Sequence, residues 1–287
     1  MMYLLLLFSI ILGVCKSGIY NRYAKADKPD TAGIFTFNAI SYGTAAVVTL
    51  FFGIGKNLSL TTLICAAAYA LAVFSLQALS VAAMTIGPMS LTSLFVLYGM
   101  IIPSLAGPIF WKEPFGIFQV VGMLVMLASI WLLRDKNESG TAAGKRWTLI
   151  VFICFLLSGT AGVVEKVHQT SESKDERIMF LFIACGFMFA LSLAGRAALR
   201  GRGKKIPYKR VTLLGTASGA IISVYSQINL TLAGSLDSLI YYPVANGGAL
   251  LLTVLISAVV FREKLSGKRL VGFFAGLISI ILLSIPV

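Results

Sequence analysis

Residues 110–122 read F-W-K-E-P-F-G-I-F-Q-V-V-G, and residues 260–272 read V-F-R-E-K-L-S-G-K-R-L-V-G. At an offset of 150 residues Glu113 falls on Glu263, Val121 on Val271, Gly122 on Gly272, Ser129 on Ser279 and Leu132 on Leu282. The same ungapped register carries Gln77 onto Gln227 and Ala83 onto Ala233. Both copies are strongly apolar, so the pattern predicts a duplicated membrane domain. Secondary transporters build a solute site between two such halves.

Composition agrees with that reading. Of the 287 residues, 58% are apolar and 12% charged, about half the charged share of a soluble domain. A helix needs about 20 apolar residues to cross a bilayer. Ten such spans are predicted, over residues 2–21, 31–53, 61–83, 90–110, 115–133, 147–166, 178–199, 211–232, 238–261 and 268–286. Hydrocarbon does not tolerate unpaired backbone, and the sequence lacks the alternation of a barrel strand, so the spans read as helices. The expected fold is an all-α integral membrane protein with ten transmembrane helices in two five-helix repeats. The first repeat covers 1–134, a linker 135–146, and the second repeat 147–287. Five is odd, so the second copy enters from the opposite face and the halves are inverted. The first and sixth spans extend the repeat with a slip of six residues, K-S-G-I-Y-N-R at 16–22 lying over T-A-G-V-V-E-K at 160–166.

Residues 1–15 have the length of a secretion signal but no basic segment before the apolar run. The stretch 147–166 opens the second half in the same way, so the segment reads as a retained first helix. Cys15, Cys65, Cys154 and Cys185 all fall within spans at no metal-like spacing and read as small packing residues. Orientation follows from the Lys and Arg count in the loops. The loops after spans 1, 5, 7 and 9 carry eighteen, and the opposite side carries five. That places both termini outside and the basic 196–210 loop in the cytoplasm of a multi-pass protein of the cell inner (plasma) membrane. The net charge of +13 is accounted for by this bias and by contact with anionic headgroups, so no nucleic-acid partner is expected.

The two helix ends with a basic residue, Glu and a glycine nine residues on (Lys112-Glu113…Gly122 and Arg262-Glu263…Gly272) resemble the drug/metabolite transporter superfamily, in its ten-helix form built from two EamA-like repeats. L-I-Y-Y-P-V-A-N at 239–246 is similar to the proline-bearing ninth helix of that family, whereas the position facing Pro243 in the first half is Ser93 and the fourth span has its proline at Pro103. The resemblance covers nearly the whole chain. It implies a central cavity lined by spans 1, 3, 4, 6, 8 and 9, with spans 5 and 10 packed outside. It implies no particular substrate.

No acid lies in the middle of a span. Glu165-Lys166 reads as a solvated helix end, with Glu165 the nearest candidate for an embedded proton-coupling carboxylate. Glu113 and Glu263 are read as capping the helix that follows each, with ion coupling as the alternative. Lys16 sits in the first span, roughly 9 Å from its charged end at Arg22. Either it snorkels to the headgroups or its ammonium attracts an anionic group of a solute. Tyr20 and Tyr23 follow it at helical spacing. The candidate cavity residues are Lys16, Gln77, Tyr98, Tyr225, Gln227, Asn229, Tyr242 and Asn246, with Tyr69 a weaker member. Buried amides and phenols also serve to join helices, and that reading stays open beside the pocket.

The expected activity is an EamA-like permease that moves a small organic metabolite, such as an amino acid or organic anion, by alternating access. A carrier of sugar phosphates, nucleotide sugars or lipid-linked sugars is the alternative in transport, and a non-transporting structural or sensory protein the alternative outside it. An intramembrane enzyme is not expected: His168 is the single histidine, and neither H-E-x-x-H nor paired intramembrane aspartates occur. The expected partners are a small-molecule solute and the lipid bilayer, with no cofactor or metal.

Overall fold

The computed structural model describes residues 1–27, 30–53, 58–87, 89–133, 144–199, 208–260 and 267–285. They form α1 (Met2–Asp27), α2 (Thr31–Leu50), α3 (Leu60–Ile86), α4 (Met89–Tyr98), α5 (Ile101–Trp111), α6 (Ile117–Leu133), α7 (Lys145–Thr170), α8 (Arg177–Ala198), α9 (Tyr208–Ser235), α10 (Ser238–Val260) and α11 (Gly267–Leu283), with a 3-10 turn at Lys174–Glu176. No strand occurs among the described residues. Most of the expected linker (135–143), Arg262 and Glu263 lie outside them.

Eight stretches are long and apolar enough to cross a bilayer, with α4 and α5 together supplying one of them, Leu91–Trp111. The outward faces of the shorter α6 and α11 are also apolar. Phe118, Leu124, Phe274, Ile278 and Ile281 each expose half or more of their surface. Contiguous apolar surface on that scale is unfavourable in water and ordinary against lipid. The chain is thus an all-α, multi-pass membrane architecture.

Local chemistry sets the helix ends. Asp30 caps α2 by accepting the Gly33 N–H at 2.8 Å, and Ser59 caps α3 by accepting that of Thr62 at 3.2 Å. The fourth predicted span is split at Gly99–Met100 into α4 and α5. Pro103 explains the break: it lacks an N–H, and its ring would crowd the carbonyl of Gly99, four residues earlier. That carbonyl instead accepts from Ile102 at 3.1 Å in a tighter turn. Pro243 lies inside α10, which stays continuous, so the two prolines have different effects.

Helix α5 ends at Lys112, a non-glycine residue in the left-handed region (φ 53, ψ 34) whose N–H returns to the Gly107 carbonyl. That conformation costs about 1–2 kcal/mol for a residue with a side chain. It turns the chain so that the next residue, Glu113, meets the second half of the protein.

Helices from the two halves interleave. α6 lies along α11, α2 packs on α8 and α9, α3 on α7 and α8, α1 on α9 and α10, and α5 on α10 and α7. The largest buried apolar cluster joins α1, α4, α6, α9 and α10 through Leu6, Leu94, Met126, Leu232 and Tyr242. A second joins α2, α3 and α8 through Tyr42, Ala66, Ala70, Phe180 and Met188.

Candidate functional site

Five helices bring ionisable and phenolic groups together deep in the bundle. The Lys16 ammonium of α1 lies 4.4 Å from the centroid of the Tyr225 ring on α9, a cation–π contact that stabilises charge away from water. Gly13 makes room for it one turn earlier, since a Cβ there would sit 3.2 Å from that ring. Glu165 of α7 comes within hydrogen-bonding reach of the Tyr69 hydroxyl on α3 and feels the charge of Lys16. Tyr241 of α10, its ring 4.7 Å from that of Tyr242, interacts electrostatically with Glu165, Tyr225 and Tyr69. Within the group Lys16, Tyr69, Glu165 and Tyr225 stay partly exposed, whereas Tyr241 is buried. The group offers a cation, a carboxylate and several ring faces, a set suited to holding a small polar solute. No cluster of metal-ligating side chains occurs among the described residues.

The other predicted cavity residues are placed differently. Gln77 donates to the Tyr42 hydroxyl at 2.7 Å and accepts from Asn38 at 3.3 Å, which ties α3 to α2. Tyr98 donates to the Leu127 carbonyl at 2.8 Å and Tyr242 to that of Gly162 at 2.6 Å. Asn246 donates to the Tyr242 carbonyl at 2.9 Å within its own helix, and buried Asn229 accepts from Ser9. All but the Asn246 bond, which stays within α10, join neighbouring helices. Gln227 has a buried Nε2 with no hydrogen-bond partner among the described residues. Tyr20 and Tyr23 pack on Phe37, and the Tyr23 hydroxyl donates to the Gly33 carbonyl at 3.0 Å, so they serve the α1–α2 junction.

Glu165-Lys166 is not a solvated helix end. Lys166 is 4% exposed and its ammonium pairs with Glu113 at 2.5 Å while donating to the Leu236 carbonyl at 3.1 Å. Successive residues on a helix point about 100° apart, so one helix turn sends Lys166 towards α5 and α10 and Glu165 towards α1, α3 and α9. Glu113 also departs from expectation. It caps α10 rather than the following helix α6, accepting the Ser238 N–H at 2.7 Å and the Ser238 hydroxyl at 3.3 Å. A carboxylate at a helix N-terminus complements the dipole there. Sequence reasoning passed over Tyr241 and undervalued Glu165. The available signal was a charge flanked by valines in V-V-E-K-V, five residues before α7 ends at Thr170.

Asp237, in the turn between α9 and α10, stands beside this ion pair. Burial, with the charge of Glu113, pushes its carboxyl above the ordinary 3.8 against the pull of Lys166. A raised carboxyl binds its proton more tightly in the folded state. Its contribution to stability is therefore full below the ordinary value and lost as pH rises through the raised one. Asp237→Asn mimics the protonated group with little change of shape. It is expected to leave the unfolding temperature unchanged at about pH 3 and to raise it by a few degrees at about pH 7. Thermal unfolding of the purified variant at both values checks this.

No family model matches the chain, and no curated protein matches it. A solved structure described only as "Crystal structure of protein" superposes with a TM-score of 0.75 at 14% identity, covering 98% of this chain and 95% of that one. At that identity the likeness is one of fold.

Proposed function

We propose that this protein is a secondary transporter of a small organic metabolite, working by alternating access of two inverted five-helix halves in the manner of the drug/metabolite transporter superfamily that it resembles. The observation that carries this reading is the Lys16–Tyr225–Glu165–Tyr69 group, partly exposed yet deep in the bundle and drawn from both halves. Ionisable side chains inside a membrane protein mark solute or ion pathways far more often than they serve packing.

Reciprocal packing supports the repeat. A Cβ on Gly122 would meet Leu282 and Leu283, and one on Gly272 would meet Leu132 and Leu133, each pair at the 150-residue offset. Exchanging the halves also exchanges the α1–α9 contact with α7–α3, and the α2–α9 contact with α8–α3. Ten spans follow when α4 and α5 count as one and α6 and α11 are included. Each of those last two, with 17 residues, is about 26 Å long, close to the hydrocarbon thickness.

Uptake of pooled radiolabelled metabolites into proteoliposomes tests the proposal. Accumulation above protein-free liposomes is expected for at least one pool, and Lys16→Met should abolish it while the thermal unfolding profile stays native. Uptake equal to protein-free liposomes for every pool would leave a structural or sensory role as the better reading.

A further inference from the structure

One end of the bundle, where α1 begins and α11 finishes, is fastened by polar contacts that join the first half of the chain to the second. At the start of α3 the Ser59 N–H and hydroxyl both donate to the Glu176 carboxylate, at 2.9 and 2.8 Å, and the same hydroxyl lies 2.8 Å from that of Ser173. Beside them the Thr62 hydroxyl lies 3.0 Å from Nε2 of buried His168. Glu113 completes the set, pairing with Lys166 at 2.5 Å and accepting the Ser238 N–H at 2.7 Å. Each half thus lends a carboxylate to a helix N-terminus of the other, where it complements the dipole. The opposite end differs. In the register that lays 16–22 over 160–166 the counterpart of Lys166 is Arg22, which is exposed and in no ion pair among the described residues. Equivalent positions are therefore in different states at the two ends, as they are when one side of an inverted repeat is shut and the other is not.

We propose that these contacts are a closed gate, and that the Ser59–Glu176–Ser173 and Glu113–Lys166–Ser238 groups part in every cycle to let the solute pass at that end. Such a gate rests on the transport reading above. Polar latches suit the task. Removing one member of a buried ion pair strands the other in low dielectric, but separating both into entering water restores their hydration, which roughly offsets the attraction that is lost. The hydrogen bonds exchange in the same way, protein partners for water. An apolar seam would instead resist opening in proportion to the area it exposed. The same contacts can therefore hold the end shut and still release it.

The experiment places a reversible cross-link across the gate. The double variant Ser59→Cys/Ser173→Cys is made in full-length protein that also carries Cys15→Ser, which removes the exposed native thiol. It is reconstituted in proteoliposomes and given a radiolabelled metabolite pool that the wild-type protein accumulates. Joining the two thiols, with an oxidant or a short bis-methanethiosulfonate bridge, is expected to cut uptake at least tenfold, and reductant to restore it. Either single-cysteine protein should be unaffected. Ser59→Cys/Glu176→Cys with the bridge serves if the first pair fails to fold or is inactive when reduced. Full uptake by cross-linked protein, the joining shown by loss of free thiol, overturns the inference, because the contacts are then static helix caps. Failure of oxidant and bridge alike to join either pair in folded protein overturns it too, since the side chains do not then stand side by side. Both of those outcomes leave wild-type uptake intact and the transport reading standing. Uptake of no pool by folded wild-type protein overturns the transport reading, and the gate with it.

Discussion

Glu113→Gln is expected to destabilise the folded protein by about 3–5 kcal/mol, because it leaves the Lys166 ammonium buried without its counter-charge. The side chains of this pair are 5% (Lys166) and 11% (Glu113) exposed, so water has little access to take over. The loss should exceed that of an exposed helix cap, about 1 kcal/mol, even though Gln can still accept the Ser238 N–H. Lys166→Met on its own should cost a similar amount by stranding Glu113. The double variant Glu113→Gln/Lys166→Met should recover most of the stability, since replacing both members of a buried pair is far less harmful than removing one. Thermal unfolding of the four proteins in one detergent gives the coupling directly. Additive losses in the double variant would mean that the pair does not act as a unit. If transport by a folded Glu113→Gln protein lost its pH dependence, Glu113 would have an ion-coupling role as well as a structural one.

Gly219→Ala is expected to be of comparable severity with a different cause. Helix α9 passes so close to α2 at this point that a Cβ on Gly219 would fall on the Ser41 carbonyl oxygen, 2.7 Å from the Thr44 Cβ and 3.1 Å from the Ala45 nitrogen. Two of those three atoms are backbone, so no rotamer change relieves the contact and the helices must separate. Overpacking a well-packed interior costs about 1–3 kcal/mol, occasionally more. Because α2 also packs on α8, separation spreads to a second interface. The control is Gly186→Ala, where a Cβ meets nothing within 4 Å. That change should be neutral or mildly stabilising, since alanine favours the helix by about 1 kcal/mol over glycine. Equal unfolding temperatures for the two variants would contradict this account.

Not all of the site was legible in the sequence. Lys16 and Tyr225 stood out because a charge or a phenol in an apolar run is conspicuous, yet their contact with each other depends on how α1 crosses α9. Gln77, Tyr98, Tyr242 and Asn246 stood out for the same reason. The structure gives them hydrogen bonds to neighbouring helices or to their own turn, because a polar group away from water takes whatever partner lies within reach. Glu165 and Lys166 show the limit most clearly. As adjacent letters near a helix end they suggest one solvated pair. In the bundle a rotation of about 100° gives one to a cross-helix ion pair and the other to the candidate solute site.

The sequence by itself determined the membrane class, the helical character of the chain, the approximate extent of its spans and the glycines of its 150-residue pattern. Those properties depend on local quantities: the length of an apolar run against the thickness of hydrocarbon, the backbone's need to satisfy itself within a helix, and the places where a residue without a Cβ is tolerated. Only the tertiary structure decided that Glu113 caps α10 rather than α6, that Pro103 breaks its span while Pro243 does not, and that Lys16 of α1 lies over the Tyr225 ring of α9. These outcomes depend on crossing geometry and on the rotation of each helix about its axis, which every helix sets jointly with its neighbours and no single stretch of sequence specifies.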